Sequence, residues 1–358
     1  MPWKLIIKSE IDSWNEKLKR TKAPFSQYPY FIRAEYTFWM SRAVFLAYIR
    51  DDKELAFCAI AEIGIYPFRI GVIESGPILL HDDIPSDSIS SNNIPSGTML
   101  EELKAFARTR GYMYLQIRPM TGQLEAGLKT DPQFREQILF PFHRKEEADL
   151  NIYHTPEPAL LPSLKLQCRR KIVLAGRKPF TFRKVEDESE LKQIFILFDK
   201  VARQKRYHLT PSPILLNMFR NGKKHHLCDI YTACLNEEIV NAVFIVKDAQ
   251  SYYHLSSALL VNGFKENESP SAKLHYFILQ DCFYKEEKEY YNISYGGSDN
   301  LVRFKNLFNP ATVVRPPYYT YVINRFSTSL LQIISPEKTT LLRNGLKRIN
   351  HLITRLVK

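Results

Sequence analysis

The chain lacks the short signatures that assign an enzyme to a class on sight. It contains no GxxxxGK[ST] phosphate loop, no GxGxxG dinucleotide turn, no HExxH zinc helix and no GxSxG nucleophile elbow. Cysteine is sparse: Cys58, Cys168, Cys228, Cys234 and Cys282 are scattered through mostly apolar sequence without a CxxC pair. That predicts buried free thiols in a reducing compartment. His225 and His226 are adjacent, poorly spaced to share a metal from one helix face, and no Cys/His cluster supports them. No metal is expected. No apolar run approaches the ~20 residues of a membrane-spanning helix. Residues 1–10 have no long apolar region of the kind a signal peptide needs. The expectation is a soluble, cytoplasmic protein with no tightly bound cofactor.

What the chain does have is length, apolar bulk and positive charge. Its 358 residues suffice for two domains, and 45% hydrophobic with 13% aromatic residues supply ample core. A formal net charge of +12 favours an anionic partner: nucleic acid, a phosphorylated ligand or a membrane surface. Simple solubility is the alternative reading of that charge.

Periodicity predicts a mixed α/β chain in which one order of elements occurs twice. The first half reads as helices over 12–20 and about 30–40, strands over 44–50, 54–63 and 68–74, a polar loop over 81–95, a helix over 97–110 and a strand over 112–117. The second half reads as helices over 188–205 and 211–219, strands over 229–235, 239–247 and 251–258, a helix over 270–288 and a strand over 290–295. The first helices start near 10 and 188 and the final strands near 112 and 290, an offset of about 178 in both cases. This predicts a tandem duplication divided into 1–150 and 151–330, with a proline-containing linker leading into a basic helix that carries Arg169 and Arg170. Residues 331–358 read as a separate basic amphipathic helix, which either docks on its own core or lies on an anionic membrane.

The most informative stretch is 290–308. An alternating strand runs into Gly296-Gly297, a polar segment follows, and Arg303 and Lys305 then sit among Phe304, Leu307 and Phe308. Glycine permits positive φ and close approach of a ligand to the backbone. Strand ends followed by such turns are where α/β folds place ligands. The plain alternative is a tight turn before an amphipathic element.

Several segments carry a resemblance. They are Pro24-Phe25-Ser26-Gln27, Ile73-Glu74-Ser75-Gly76-Pro77-Ile78-Leu79 and Arg169-Arg170-Lys171-Ile172-Val173-Leu174-Ala175 in the earlier part of the chain. Tyr252-Tyr253-His254-Leu255-Ser256-Ser257-Ala258, the helix from Pro270, and Tyr295-Gly296-Gly297 through Phe304-Lys305-Asn306-Leu307-Phe308 follow. In order and spacing the chain resembles the Fem-type aminoacyl (peptidyl) transferases over most of residues 20–325. The resemblance implies two tandem GNAT-like acyltransferase domains. It implies attack by an amine of a cell-envelope (peptidoglycan) precursor on an activated acyl carbonyl, with aminoacyl-tRNA or acyl-CoA as donor. Lys305 would serve the donor and the tetrahedral intermediate, and Asp299 would orient or deprotonate the acceptor amine. Arg303, Ser269, Ser271, Gly296 and Gly297 would hold the donor; Arg169, Arg170, Arg33, Tyr253 and Tyr295 would hold the acceptor. Each has a plain alternative: solvated Lys305 and Arg303, a turn-forming Asp299, a solvated basic face for Arg169 and Arg170.

The chain also departs from the family pattern. Residues 267–272 lack the Gly-x-Gly/Ala of acetyl-CoA-dependent GNAT enzymes, and Glu268 would repel a phosphate there. Arg33 and Glu35 stand where peptidoglycan-modifying members carry an acceptor-binding lysine, and the long coiled-coil insertion of some members is absent. Two rival readings follow: an acyl-CoA-dependent N-acyltransferase acting on a sugar or polysaccharide precursor, and a catalytically silent RNA- or membrane-binding module. The expected location is the cytoplasm, with the terminal helix a candidate for peripheral contact at the inner face of the membrane. DNA is not an expected partner.

Overall fold

The computed structural model describes residues 2–36, 41–64, 69–80, 96–136, 148–205, 212–261, 264–265, 268–295 and 297–324. In chain order the first elements are β1 (Trp3–Leu5), α1 (Ile11–Lys19), α2 (Pro29–Tyr36), β2 (Ser41–Arg50), β3 (Lys53–Ile63), β4 (Arg69–Ile73) and β5 (Ile78–Leu79). Then come α3 (Ser96–Thr109), β6 (Tyr112–Ile117), α4 (Gly122–Thr130), β7 (Phe134–Glu136), β8 (Ala148–Tyr153), α5 (Leu160–Ser163), α6 (Leu166–Gly176) and β9 (Phe180–Lys184). The rest are α7 (Leu191–Lys205), α8 (Ser212–Lys223), β10 (Cys228–Leu235), β11 (Glu238–Lys247), β12 (Ser251–Leu259), α9 (Ser271–Gln280), β13 (Tyr290–Asn292), α10 (Asp299–Lys305), β14 (Ala311–Val314) and β15 (Tyr319–Val322).

The duplication read from spacing is realised as topology. Strands β2, β3 and β4 are antiparallel, and α3 then leads to β6 parallel to β4. Strands β10, β11 and β12 are likewise antiparallel, and α9 leads to β13 parallel to β12. The sheets run β1-β2-β3-β4-β6-β15-β7, with β5 beside β3, and β14-β8-β13-β12-β11-β10-β9.

Two compact units result. The described parts of Met1–Leu5, Met40–Lys145 and Pro316–Lys358 form the first, and Ile6–Trp39 with Glu146–Arg315 form the second. This differs from a division at residue 150 in a specific way. Strand β15, from the end of the chain, enters the first sheet between β6 and β7 through Tyr319↔Ile117 and Thr320↔Arg135. Strand β8 enters the second between β13 and β14 through Tyr291↔Ile152 and Thr312↔Leu150. Each parallel strand would otherwise leave a row of N–H and C=O groups unpaired, and a strand from the other repeat satisfies them. Helices α1 and α2 also belong to the second unit: the Tyr30 hydroxyl donates to the Leu227 carbonyl at 2.8 Å.

The cores follow the predicted patterns, around Leu46, Ile60, Leu103 and Leu115 in the first unit and Ile245, Tyr252, Leu274 and Tyr291 in the second. All five cysteines are buried and free, as their apolar surroundings predict. The expected C-terminal helix over 331–358 lies outside the described residues.

Candidate active site

In the second unit, polar side chains collect where two parallel strands part. β12 and β13 pair only from Ser251↔Tyr290 to Tyr253↔Asn292, while β12 itself continues to Leu259. An irregularity in the β11–β12 ladder between Phe244 and Ile245 adds local twist there. Alternation along β12 buries Tyr252, His254, Ser256 and Ala258.

His254 bridges the opening. Its Nδ1 lies 3.3 Å from the Ile293 carbonyl oxygen. A carbonyl can only accept, so Nδ1 carries the proton and Nε2 the lone pair. Nε2 is buried with no hydrogen-bond partner, and so is the Ser256 hydroxyl. Burial, reinforced by the Lys305 ammonium, pushes the imidazole pKa down to about 4, so His254 is neutral near pH 7. His275 on α9 stands beside it, the two rings meeting edge to face at 5.2 Å, and its Nδ1 is 2.8 Å from the Tyr291 hydroxyl. Burial, then His254 and Lys305, hold its pKa well below the usual histidine range.

Lys305 closes the group. It is the last residue of α10, only 2% exposed, and its Nζ donates to Ser294 Oγ at 2.9 Å. The turn before α10 sets this up. Ser294 adopts φ 60°, and its amide donates to Asn292 Oδ1 at 2.7 Å. Non-glycine residues in the left-handed region cost on the order of 1 kcal/mol or more and collect at functional sites. Gly297 follows at φ 113°, where a Cβ would lie 2.6 Å from Leu301 Cδ2, so the turn requires glycine there. The Phe304 and Phe308 rings pack on His275 at 5.7 and 5.5 Å and wall off the cluster. Taking an ammonium out of water costs several kcal/mol. Chemically, the cluster presents a buried positive charge and an unpartnered neutral acceptor side by side in the interior of the second unit.

The other expected residues are dispersed. Asp299 and Arg303 share the exposed face of α10, away from Lys305. Tyr295 is exposed, and Gly296 lies outside the described residues. Ser269 and Ser271 are engaged locally at the start of α9. Ser271 N and Ser269 Oγ are 3.3 Å apart, and Ser271 Oγ accepts from the buried Asn241 at 2.9 Å. Tyr253, on the opposite face of β12 from His254, packs at a tilt against Phe25, ring centroids 4.3 Å apart, and shares a hydrogen bond with the Tyr290 hydroxyl at 2.9 Å. Arg33 is exposed on α2 and Arg170 on α6, while Arg169 is half-buried with its Nε enclosed and unpartnered. Among the described residues, no group of three or more His, Cys, Asp or Glu is placed to hold a metal.

Sequence reasoning did not single out His254, His275, Tyr291 or Ser294. One signal was legible: His254 and Ser256 occupy alternate positions that strand periodicity places on the same face as Tyr252 and Ala258, and buried polar groups need a reason. The joining of β12, α9 and α10 around them has no local signature.

No protein-family model and no curated protein matches the sequence. Similarity appears in three dimensions. The crystal structure of FemX superposes with a TM-score of 0.74 at 14% identity, over 93% of this chain and 100% of that one. A conserved protein of unknown function from Bacteroides thetaiotaomicron VPI-5482 superposes with a TM-score of 0.61 at 11% identity, over 90% of this chain and 99% of that one. The likeness is one of fold, and with the two sheet topologies it makes this chain a tandem GNAT-like structure of mixed α/β sheets.

Proposed function

We propose that this chain is an acyltransferase that moves an aminoacyl or acyl group from an activated donor to an amine of a cell-envelope precursor, in the cytoplasm. The observation that carries this reading is the buried Lys305 ammonium beside neutral His254 where β12 and β13 part. In the reaction the amine nitrogen attacks the acyl carbonyl carbon, a C–N bond forms, and the carbonyl electrons move onto oxygen. Lys305 stabilises that oxyanion in a water-poor setting, where a fixed charge is worth most. Collapse breaks the bond to the donor oxygen or sulfur, and the amine proton leaves with the departing group. His254 Nε2 accepts a hydrogen bond from the attacking amine and orients it. Arg303 and Gly297, on or before α10, meet the donor at the surface, Asp299 meets the acceptor amine as it approaches, and Arg33 and Tyr295 serve the acceptor. The +12 charge favours aminoacyl-tRNA as donor.

The test is transfer to amine acceptors from labelled aminoacyl-tRNA and, in parallel, from acetyl-CoA and longer acyl-CoAs. Transfer should fall roughly 100- to 1000-fold in Lys305→Met, with circular dichroism and an unchanged thermal transition showing that the fold persists. Turnover with acyl-CoA alone moves the acceptor search to envelope sugars. Undiminished turnover in Lys305→Met removes the proposed site.

A further inference from the structure

We propose that the outward face of α6 is a docking surface for an anionic lipid bilayer. Cys168, Ile172 and Ala175 point from this helix into the core of the second unit. At 3.6 residues per turn the opposite side carries Leu166, Arg169, Arg170, Val173 and Arg177. Leu166 is 53% exposed and Val173 51%, so two aliphatic side chains stand in water between guanidinium groups.

The charge here is of one sign and is locally unpaired. No acidic residue occurs between Glu157 and Glu186. The later cations of that stretch find partners: Lys178 pairs with Glu268 at 3.3 Å, Lys184 with Asp229 at 2.8 Å, and Arg183 with Glu190. Lys165, Arg169, Arg170, Lys171 and Arg177 have no carboxylate within 4.0 Å among the described residues. Arg169 Nε is enclosed without an acceptor.

Charge complementarity calls for an anionic occupant, and the residues between the arginines choose which. A single-stranded nucleic-acid surface uses aromatic side chains between its cations for base stacking. This face has none. Leu166 and Val173 gain free energy by entering the boundary between headgroups and acyl chains, while the cations around them meet lipid phosphates. No described helix is long and apolar enough to cross a membrane, so the contact is interfacial, with α6 lying in the plane of the surface. The Lys165 amide donates to the Leu307 carbonyl at 3.1 Å, which ties the start of α6 to the segment directly after Lys305. Docking therefore holds the candidate site close to the bilayer, where a phosphate-bearing lipid acceptor would be met. The docking itself does not rest on the proposed transfer reaction.

The experiment is co-sedimentation of the full chain with phosphatidylcholine vesicles, with and without phosphatidylglycerol, at low and high salt. Expected is binding that requires phosphatidylglycerol, weakens with salt, and falls roughly tenfold or more in both Leu166→Ser/Val173→Ser and Arg170→Glu/Arg177→Glu. Unchanged thermal unfolding of both variants shows that the loss is not one of fold. The proposal is overturned if the wild type does not bind, or if both variants bind normally, as they would if residues 331–358 made the contact. Loss in the charge variant alone overturns it too, since the surface then binds phosphate without entering lipid. So does unchanged vesicle binding accompanied by weakened tRNA binding.

Discussion

At the residue scale, the polar cluster around Lys305 has a consequence in acid. His254 titrates near 6.5 in an unfolded chain and at about 4 in the native one, because burial and the Lys305 charge disfavour its imidazolium. Between those values the unfolded state binds a proton that the native state refuses, so stability rises with pH across the window and is lost as pH falls through it. The amount is on the order of 3 kcal/mol for the full interval. His275, depressed in the same direction, adds to it. Asp248 acts oppositely: burial raises its pKa from 3.8 to about 6, against the hydrogen bonds from Ser251, Gln250 and Phe25 that lower it. The informative quantity is therefore a difference. In urea unfolding at pH 4.5 and 7, His254→Gln should lose less stability on acidification than the parent chain. Identical losses in the two chains would mean that His254 is protonated in the native state.

At the scale of elements, α8 shows packing overruling local preference. Gly222 sits within the helix, where alanine would ordinarily be favoured by about 1 kcal/mol. Here a Cβ would lie 2.7 Å from both Cys228 Sγ and Tyr30 Cε2. Tyr30 cannot swing clear, since its hydroxyl is bonded to the Leu227 carbonyl at 2.8 Å. Gly222→Ala should therefore destabilise the protein by about 1–3 kcal/mol, read as a lower urea midpoint. A rise in the midpoint would show that helix propensity wins. Helix α9 carries a related lesson. Periodicity predicts it over 270–288, but α-helical geometry ends at Gln280 and a π-helical turn, Asp281–Lys285, follows. Asp281 is engaged there by Lys285, four residues on, at 2.7 Å and by the distant Tyr231 hydroxyl, and the latter partner leaves no trace in the helical period.

At the scale of the whole molecule, the exchange of β8 and β15 makes each repeat depend on chain from the other. Strand β15 pairs with β6 on one side and β7 on the other, so a chain ended at Arg315 leaves β6 with an open edge and β7 without its ladder. Such a truncation should expose apolar surface in the first unit, seen as dye binding and rapid proteolysis within residues 41–136, while the second unit keeps its cooperative transition. Full protection of that region in the truncated chain would show that β15 is dispensable.

The sequence by itself determined the order of helices and strands within the two repeated sets, their offset of about 178, the buried thiols and the turn before Lys305. Those depend on period, spacing and local turn chemistry, which neighbouring residues encode. In the sequence the segment that forms β8 reads as linker, and β7, β14 and β15 go unread. The tertiary structure alone decided which sheet receives β8 and β15, and that α1 and α2 join the second unit. It also decided that Lys305 is buried against Ser294 while Asp299 and Arg303 face water. The backbone groups that pair strands are nearly the same in every residue, so the choice of partner falls to side-chain packing between segments distant in sequence. A polar cluster such as His254, His275 and Lys305 exists only once strands and helices distant in sequence have closed around it.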